Sequence, residues 1–319
     1  MFAFLLANRL HSRSFQIVTG MQNIERSLHH LEKIVAVAAL VAVLALTIGF
    51  AQAGEMRADQ KKGAKKSDEV FLRSAVALVQ DASSGETLIA KNQGAVLPIA
   101  SITKLMTAMV ILDANLNLEQ RVAISGEDYD LVKGTRSRLR PGTVLMRDEL
   151  LLLALMSSEN RAAASLGRTY PGGLEVFVAA MNVKAAALGM GDSRFVDPTG
   201  LSSANVSTAH DLARMVAAAH EYPLIRQYST RESATVRSFG RTLGYRNTNG
   251  LVRSVNWDIG LSKTGYISEA GRCLVMRVRL SSREVIVVLL DSWGKFSRVG
   301  DANRIKKWLE AHAPKGPRG

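Results

Sequence analysis

Two long apolar stretches near the C-terminal end constrain the fold of this chain more than any other feature. Residues 272–280 (RCLVMRVRL) and 284–292 (EVIVVLLDS) are separated by only three residues. Both stretches are rich in the aliphatic and β-branched residues that favour strands, and so short a connection allows only antiparallel pairing. The sequence therefore predicts an antiparallel sheet that includes this hairpin.

The order of the remaining patterns places the hairpin in an α/β (α+β) architecture. Strand-like stretches occur at 75–92 and again from residue 233, whereas apolar residues at helical spacing dominate the region between them. A last helix is expected to begin at Asp301. Strands from both ends would meet in one mostly antiparallel sheet flanked by helices, with a helical subdomain inserted at about residues 120–225. A cleft between the two lobes is the natural place for a site.

The N-terminal region has the composition of a secretory leader. Residues 34–53 are almost entirely apolar, carry no charge and end in Ala-Gln-Ala. This pattern predicts a signal peptide over residues 1–53 and export to the periplasm. A retained membrane anchor is the alternative, because about 20 apolar residues can span a bilayer. Met21 is an alternative start, which would make residues 1–20 an artefact of annotation.

The net charge limits which partners the exported chain is expected to bind. The net charge is +13 for all 319 residues and +11 beyond residue 53. Residues 54–68 contain four clustered lysines, which predict a basic flexible linker with a loose association to membrane or wall as one use. No aromatic-rich basic strand of the kind that binds bases is apparent, so we expect no nucleic-acid partner.

Cysteine and histidine usage argues against a metal or another cofactor. The single cysteine, Cys273, lies in an apolar stretch, where a buried structural thiol is expected. The three histidines beyond residue 53 have no metal-ligand spacing. The domain formed by residues 69–319 is therefore expected to use only its own side chains for its function, without a metal or another cofactor.

Three short motifs suggest what those side chains do. Ser101 and Lys104 are one helical turn apart, Ser158 and Asn160 follow an apolar helix, and Lys263-Thr264-Gly265 lies in a strand-like stretch. A serine hydroxyl needs a base, and a lysine of lowered pKa can serve. Each motif alone is common, but this ordered trio occurs in penicillin-binding proteins and β-lactamases.

The motifs and the stretches around them resemble the penicillin-binding D-alanyl-D-alanine carboxypeptidase and endopeptidase family. The resemblance covers about residues 70–312 and includes LPIASITKLMTAMV, FVDPTGLSSANVSTAHDLARM, GLSKTGYISEAGRCLVM and GKFSRVGDANRIKKWLE. The last two stretches favour the endopeptidase branch. The resemblance implies a β-lactamase/transpeptidase-like fold and a penicillin-sensitive serine peptidase of peptidoglycan, which β-lactam antibiotics inhibit covalently.

The resemblance also implies a role for each motif residue. Ser101 would form the acyl-enzyme, Lys104 would be the general base, and Ser158 would assist proton transfer. Asn160, Lys263, Thr264 and Gly265 would bind the substrate, with Lys263 and Thr264 holding a carboxylate. The backbone N–H groups of Ser101 and Tyr266 would form the oxyanion hole.

Three readings compete for the same residues. The leading one is an endopeptidase that cuts D-alanyl cross-links of peptidoglycan, and the second is a carboxypeptidase that removes terminal D-alanine from pentapeptide stems. A non-catalytic wall-binding protein is the third, and the intact motif residues argue against it. A β-lactamase is disfavoured because no separate carboxylate for a deacylating water is apparent.

Overall fold

The two apolar stretches form neighbouring strands in a five-stranded antiparallel sheet, as predicted. The strands of the chain are β1 (Ser74–Asp81), β2 (Thr87–Lys91), β3 (Leu97–Pro98), β4 (Arg121–Ala123), β5 (Val144–Met146), β6 (Val206–Ser207), β7 (Ser233–Ser238), β8 (Arg241–Arg246), β9 (Asp258–Ile267), β10 (Gly271–Leu280) and β11 (Arg283–Ser292). The order in the sheet is β2-β1-β11-β10-β9. Because β1 pairs with β11, strands from the two ends of the domain meet, which confirms the predicted fold class.

The computed structural model describes residues 70–280 and 283–312. They lie within the unit Val70–Gly319. The predicted signal peptide (1–53) and basic linker (54–68) lie outside the described residues, and both stay predictions.

The part of the chain that the structure describes contains seven α-helices. They are α1 (Thr103–Asp113), α2 (Arg147–Met156), α3 (Asn160–Arg168), α4 (Gly173–Ala187), α5 (Ala209–His220), α6 (Pro223–Thr230) and α7 (Ser297–Ala311). The first six lie between β2 and β7 in the sequence, and α7 follows β11. This order gives the inserted helical region that the fold class requires, while its exact limits stay a prediction.

The sheet is apolar on both faces because each face carries its own core. Alternate residues of β1, such as Val76 and Leu78, join the core that includes α1 and α5. The residues between them, such as Ala77 and Val79, pack in a second core with α7. Burial on both faces explains why the central strands read as continuous apolar stretches rather than as alternating ones. Cys273 is a fully buried free thiol, as predicted.

The strand-like stretches at 233–246 do not join this sheet. Among the described strands, β7 and β8 pair only with each other and form a separate hairpin. Residues of β7 alternate between exposed and buried positions, with Arg237 on the exposed side. A strand with one polar face is suited to a half-buried hairpin and not to a sheet with two covered faces.

The last helix begins at Ser297, so the predicted start at Asp301 was wrong. Asp301 is fully buried within α7, and its carboxylate accepts hydrogen bonds from the backbone N–H of Arg73 at 3.0 Å and of Ser74 at 2.7 Å. The hydroxyl of Ser74 donates to the same carboxylate at 2.5 Å. The acidic residue therefore fixes the beginning of β1 to α7 instead of capping its own helix.

Residues 70–280 and 283–312 contain neither a membrane-spanning helix nor a cluster of metal-binding side chains. None of the helices there is long and apolar enough to cross a membrane. No group of three or more His, Cys, Asp or Glu side chains there has an arrangement that could hold a metal ion.

Replacement of Asp301 should destabilise the domain strongly. We expect Asp301→Ala to lower the free energy of unfolding by about 3–5 kcal/mol, because it leaves buried donors of β1 and the Arg304 guanidinium without their carboxylate. Urea unfolding measures the loss. Asp258→Ala, which removes an exposed carboxylate from β9, is the matched control and should change stability by less than about 0.5 kcal/mol. Equal stability of the two variants would contradict the assignment.

Candidate active site

The first motif begins in a tight turn and not in the α-helix itself. Ser101 lies in the 3-10 turn Ala100–Ile102, which leads directly into α1. Ala100 has a φ of +47°, a left-handed conformation that a side chain disfavours. The turn is held against Gly200, where a Cβ would lie only 1.9 Å from the carbonyl oxygen of Ala100. Strain and close packing therefore coincide at the serine.

Lys104 is fully buried and its amine contacts three oxygen atoms. Nζ lies 2.9 Å from Oγ of Ser101, 2.8 Å from Oδ1 of Asn160 and 2.6 Å from the carbonyl oxygen of Thr199. The amide oxygen and the carbonyl oxygen can only accept hydrogen bonds. A neutral amine has two N–H donors for these two acceptors, which leaves its lone pair for the hydroxyl proton of Ser101. The geometry therefore suits a base.

Burial gives Lys104 the protonation state that this role needs. Loss of solvent lowers its pKa to about 7, against the opposing effect of the carboxylates of Asp197, Glu159 and Asp130. Near neutral pH a large fraction of the amine is therefore unprotonated. A base poised near the working pH is the most effective proton acceptor.

The second motif lies between two helices of the inserted region. Ser158 lies between α2 and α3 with a φ of +59°, and Asn160 is the first residue of α3. Nδ2 of Asn160 donates to Oγ1 of Thr135 at 2.9 Å while its Oδ1 accepts from Lys104. Asn160 therefore links the lysine to the loop that contains Thr135.

The third motif faces the second from strand β9. Nζ of Lys263 donates to Oγ of Ser158 at 2.8 Å and to the carbonyl oxygen of Thr264 at 3.0 Å. The hydroxyl groups of Thr264 and Thr248 are 2.6 Å apart. Burial, together with the charges of Lys104 and Arg298, holds the pKa of Lys263 well below its usual range. An incoming carboxylate would oppose these effects and favour the ammonium form.

Gly265 allows β9 to lie against the turn that carries the serine. A Cβ on this residue would be 2.9 Å from the carbonyl oxygen of Ile99 and 3.1 Å from the backbone nitrogen of Ser101. Arg298 fixes the strand from the other side, since its Nη1 donates to the carbonyl oxygen of Gly265 at 3.0 Å. Tyr266 follows Gly265 directly in the same strand. The structure therefore brings the predicted residues of all three motifs close together, while the oxyanion hole stays a prediction.

Three contributors to the site were missed by sequence reasoning. The carbonyl oxygen of Thr199 has no side-chain signature, although the Asp-Pro-Thr-Gly sequence at 197–200 indicates the turn that presents it. Thr135 belongs to a loop with no recognisable motif. Arg298 lies in α7, far from the motifs in sequence, and only the fold shows its contact with β9.

Two further features border the cleft. A cavity of about 340 Å³ lies beside Asn160 and Thr199 and is lined by apolar side chains, such as Leu131, together with charged ones, such as Asp130 and Arg168. Lys133, from the loop that contains Thr135, forms an ion pair with Glu269 in the turn after β9. The helical region and the sheet are therefore in contact on one side of the site.

The sequence of residues 61–294 matches a protein family described as D-alanyl-D-alanine carboxypeptidase. A D-alanyl-D-alanine endopeptidase of Pseudomonas aeruginosa is 48% identical over 272 residues, which cover 85% of this chain and 87% of the relative. A D-alanyl-D-alanine endopeptidase of Escherichia coli is 47% identical over 241 residues, 75% of this chain and 78% of the relative.

Solved structures with the same fold have related titles. The Streptomyces K15 DD-transpeptidase superimposes with a TM-score of 0.70 at 28% identity, over 76% of this chain and 98% of that one. A D-alanyl-D-alanine carboxypeptidase from Mycobacterium tuberculosis superimposes with a TM-score of 0.71 at 28% identity, over 79% of this chain and 96% of that one. These similarities confirm the predicted transpeptidase-like fold.

Lys104 should titrate near pH 7, far below an ordinary lysine. Its folded-state pKa is lowered, so the amine is protonated below about pH 7 and neutral above it. NMR of lysine-labelled protein, with the signal assigned by its loss in Lys104→Met, should show this midpoint. Lys184 is the internal control, because burial is outweighed by the hydrogen bonds that its amine donates to Tyr222 and Asp113, which raise its pKa. A Lys104 signal that is still protonated at pH 9 would contradict the proposed state.

Proposed function

The chain belongs to the family of D-alanyl-D-alanine carboxypeptidases, and from that premise we propose that it is an endopeptidase that hydrolyses D-alanyl cross-links of peptidoglycan. Two of its relatives carry the name D-alanyl-D-alanine endopeptidase. The reaction is that of a serine-type peptidase, with an acyl-enzyme on Ser101 and sensitivity to penicillin. No cofactor takes part in the proposed steps.

The contact between Lys104 and Ser101 is the observation that carries this chemistry. In the first step Oγ of Ser101 attacks the carbonyl carbon of the D-alanyl peptide bond, and its proton passes to the neutral Nζ of Lys104. The 2.9 Å separation of these atoms is within the range of direct proton transfer. The lowered pKa keeps the amine ready to accept the proton.

The negative oxygen that forms in this step needs donors that are already in place. The backbone N–H groups of Ser101 and Tyr266 are proposed to supply them, and the close approach at Gly265 supports this arrangement. Removal of a single donor of this kind costs other serine hydrolases about 3–4 kcal/mol.

Collapse of the intermediate breaks the peptide bond and releases an amine. Ser158 is proposed to relay the proton that Lys104 took from Ser101 to the leaving nitrogen, so that Ser158 keeps its hydroxyl proton and Lys104 becomes neutral again. A hydrogen bond from Nζ of Lys263 at 2.8 Å holds the hydroxyl of Ser158 in place. Lys263 and Thr264 are proposed to bind a carboxylate near the scissile bond, while Asn160 and Gly265 position the substrate backbone. Water then attacks the acyl-enzyme, returns the hydroxyl to Ser101 and frees the new carboxylate.

The place of action proposed for the enzyme is the periplasm, reached through the signal peptide predicted at residues 1–53. Peptidoglycan stems and β-lactam antibiotics are the partners, with the antibiotic acylating Ser101 in place of the peptide. Carboxypeptidase activity on terminal D-alanine is the second candidate, and the name of the family supports it. Both activities would use the same residues.

Digestion of purified muropeptides separates the two activities. We expect the wild-type protein to convert cross-linked dimers to monomers and to bind labelled penicillin covalently. Ser101→Ala should lose both reactions, by about 10³-fold or more, because the nucleophile is gone. Chromatography with mass spectrometry follows the muropeptides, and gel fluorescence follows the penicillin.

Ser84→Ala is the matched control, because it removes an exposed serine hydroxyl from a surface turn. It should retain both reactions. Loss of only terminal D-alanine from pentapeptide monomers, with dimers unchanged, would replace the endopeptidase assignment by the carboxypeptidase one. Equal penicillin binding by Ser101→Ala and wild type would reject Ser101 as nucleophile.

A further inference from the structure

Three large aromatic side chains are unusually exposed near the end of the sheet. Trp293 is 88% exposed, Phe296 is 73% exposed and Tyr266 is 57% exposed. Single exposed apolar residues are normal on a protein surface, whereas a group of them marks an interaction site. The question is therefore whether these three belong to one surface.

Strand register and hydrogen bonds place their backbone positions close together. Tyr266 of β9 pairs with Arg272 of β10, which pairs in turn with Ser292 at the end of β11. Trp293 follows Ser292 directly. Arg298, two residues after Phe296, donates hydrogen bonds to the carbonyl oxygens of Gly265 and Cys273. We call Tyr266, Arg272, Trp293, Lys295 and Phe296 the aromatic platform.

Two of the aromatic rings of the platform each have a cation over one face. The guanidinium carbon of Arg272 is 4.6 Å from the ring centre of Tyr266, and Nζ of Lys295 is 5.5 Å from that of Phe296. Among the described residues neither cation forms an ion pair with a carboxylate. The platform therefore offers flat apolar faces together with positive charge that protein carboxylates leave uncompensated.

The platform is continuous with the cleft. Tyr266 follows Gly265, the residue against which the backbone nitrogen of Ser101 packs. A polymer that lies on the platform can thus reach Ser101 with a side branch at the same time. A small substrate would not need this surface.

We propose that the aromatic platform binds the glycan strand of peptidoglycan beside the cleft, an inference that rests on the proposed function. Sugar rings present C–H faces that stack on aromatic rings, and the carboxylates of the peptide stems match the platform's cations. A strand held there delivers its stem to the nucleophile. The proposed partner is therefore a polymer that carries both sugar rings and peptide-stem carboxylates. A free muropeptide offers only a short piece of this polymer.

Binding to isolated peptidoglycan sacculi tests the proposal without relying on turnover. The measurement uses the full chain with Ser101→Ala, so that nothing is cleaved, in a pelleting assay at physiological ionic strength. Adding Trp293→Ala and Phe296→Ala should raise the apparent Kd for sacculi about tenfold or more, because exposed aromatic anchors dominate binding surfaces. Phe239→Ala, which removes an aromatic ring that is 65% exposed on the β7–β8 turn, should leave the Kd unchanged.

A second experiment distinguishes damage to the active site from loss of the binding surface. With Ser101 intact, the Trp293→Ala/Phe296→Ala variant should acylate with labelled penicillin at the wild-type rate, and its activity should fall on sacculi but not on soluble dimers. Sacculus binding equal to that of Phe239→Ala would overturn the proposal. If the Trp293→Ala/Phe296→Ala variant loses binding to phosphatidylglycerol vesicles but still binds sacculi, the platform is a lipid-binding surface instead. Wild-type protein that binds sacculi but cleaves no muropeptide would reject the proposed function and leave the platform standing.

Discussion

The burial of one amine, that of Lys104, is the constraint on which the rest of the site depends. In water a lysine is protonated at neutral pH and cannot accept a proton. Only an environment that disfavours its positive charge lowers its pKa enough for it to act as a base. That environment is assembled from separate parts of the chain: the helix α1, the amide of Asn160 and the carbonyl oxygen of Thr199. The inserted helical region is thus required for the chemistry and does more than cover the sheet.

Close approach of backbones is the second requirement, and it explains where the chain is strained. Gly200 and Gly265 lie on opposite sides of the turn that carries Ser101, at distances that a Cβ would not permit. Ala100 and Ser158 adopt left-handed conformations beside the groups that would react. Such strain persists only where the surrounding structure holds it, and it is concentrated at functional sites. The two cores on either side of the sheet supply that support.

The sheet and the clustering of the motif residues could be predicted from the sequence because both leave local signals. A three-residue connection and continuous apolar strands specify the central hairpin, and the trio of motifs specifies Ser101, Lys104 and Lys263. Contacts made by backbone atoms left no such signal, so the carbonyl oxygen of Thr199 was not predicted. Asp301 illustrates a different limit. A carboxylate near a helix start has the same sequence signature whether it caps that helix or, as here, binds another element.

Apolar spacing also could not tell which strands share a sheet. β7 and β8 were predicted as strands. They lie outside the main sheet because one face of β7 is polar and exposed, whereas both faces of the main sheet are covered by apolar cores. The contact between Lys133 and Glu269 has no local signal either, because it joins residues 136 positions apart.

Asp301 has a mechanical consequence as well. It holds the backbone at Arg73 and Ser74, where the chain enters β1, so a pull on the backbone at this point is transmitted to α7 as well as to the sheet. β1 lies between β2 and β11 and pairs with β11 from Ser74 to Asp81. A force along β1 therefore loads the hydrogen bonds of two neighbours in parallel, as shear, instead of opening them one after another. Hydrogen bonds loaded in this way resist a pull at the start of β1 more strongly than bonds that open one by one.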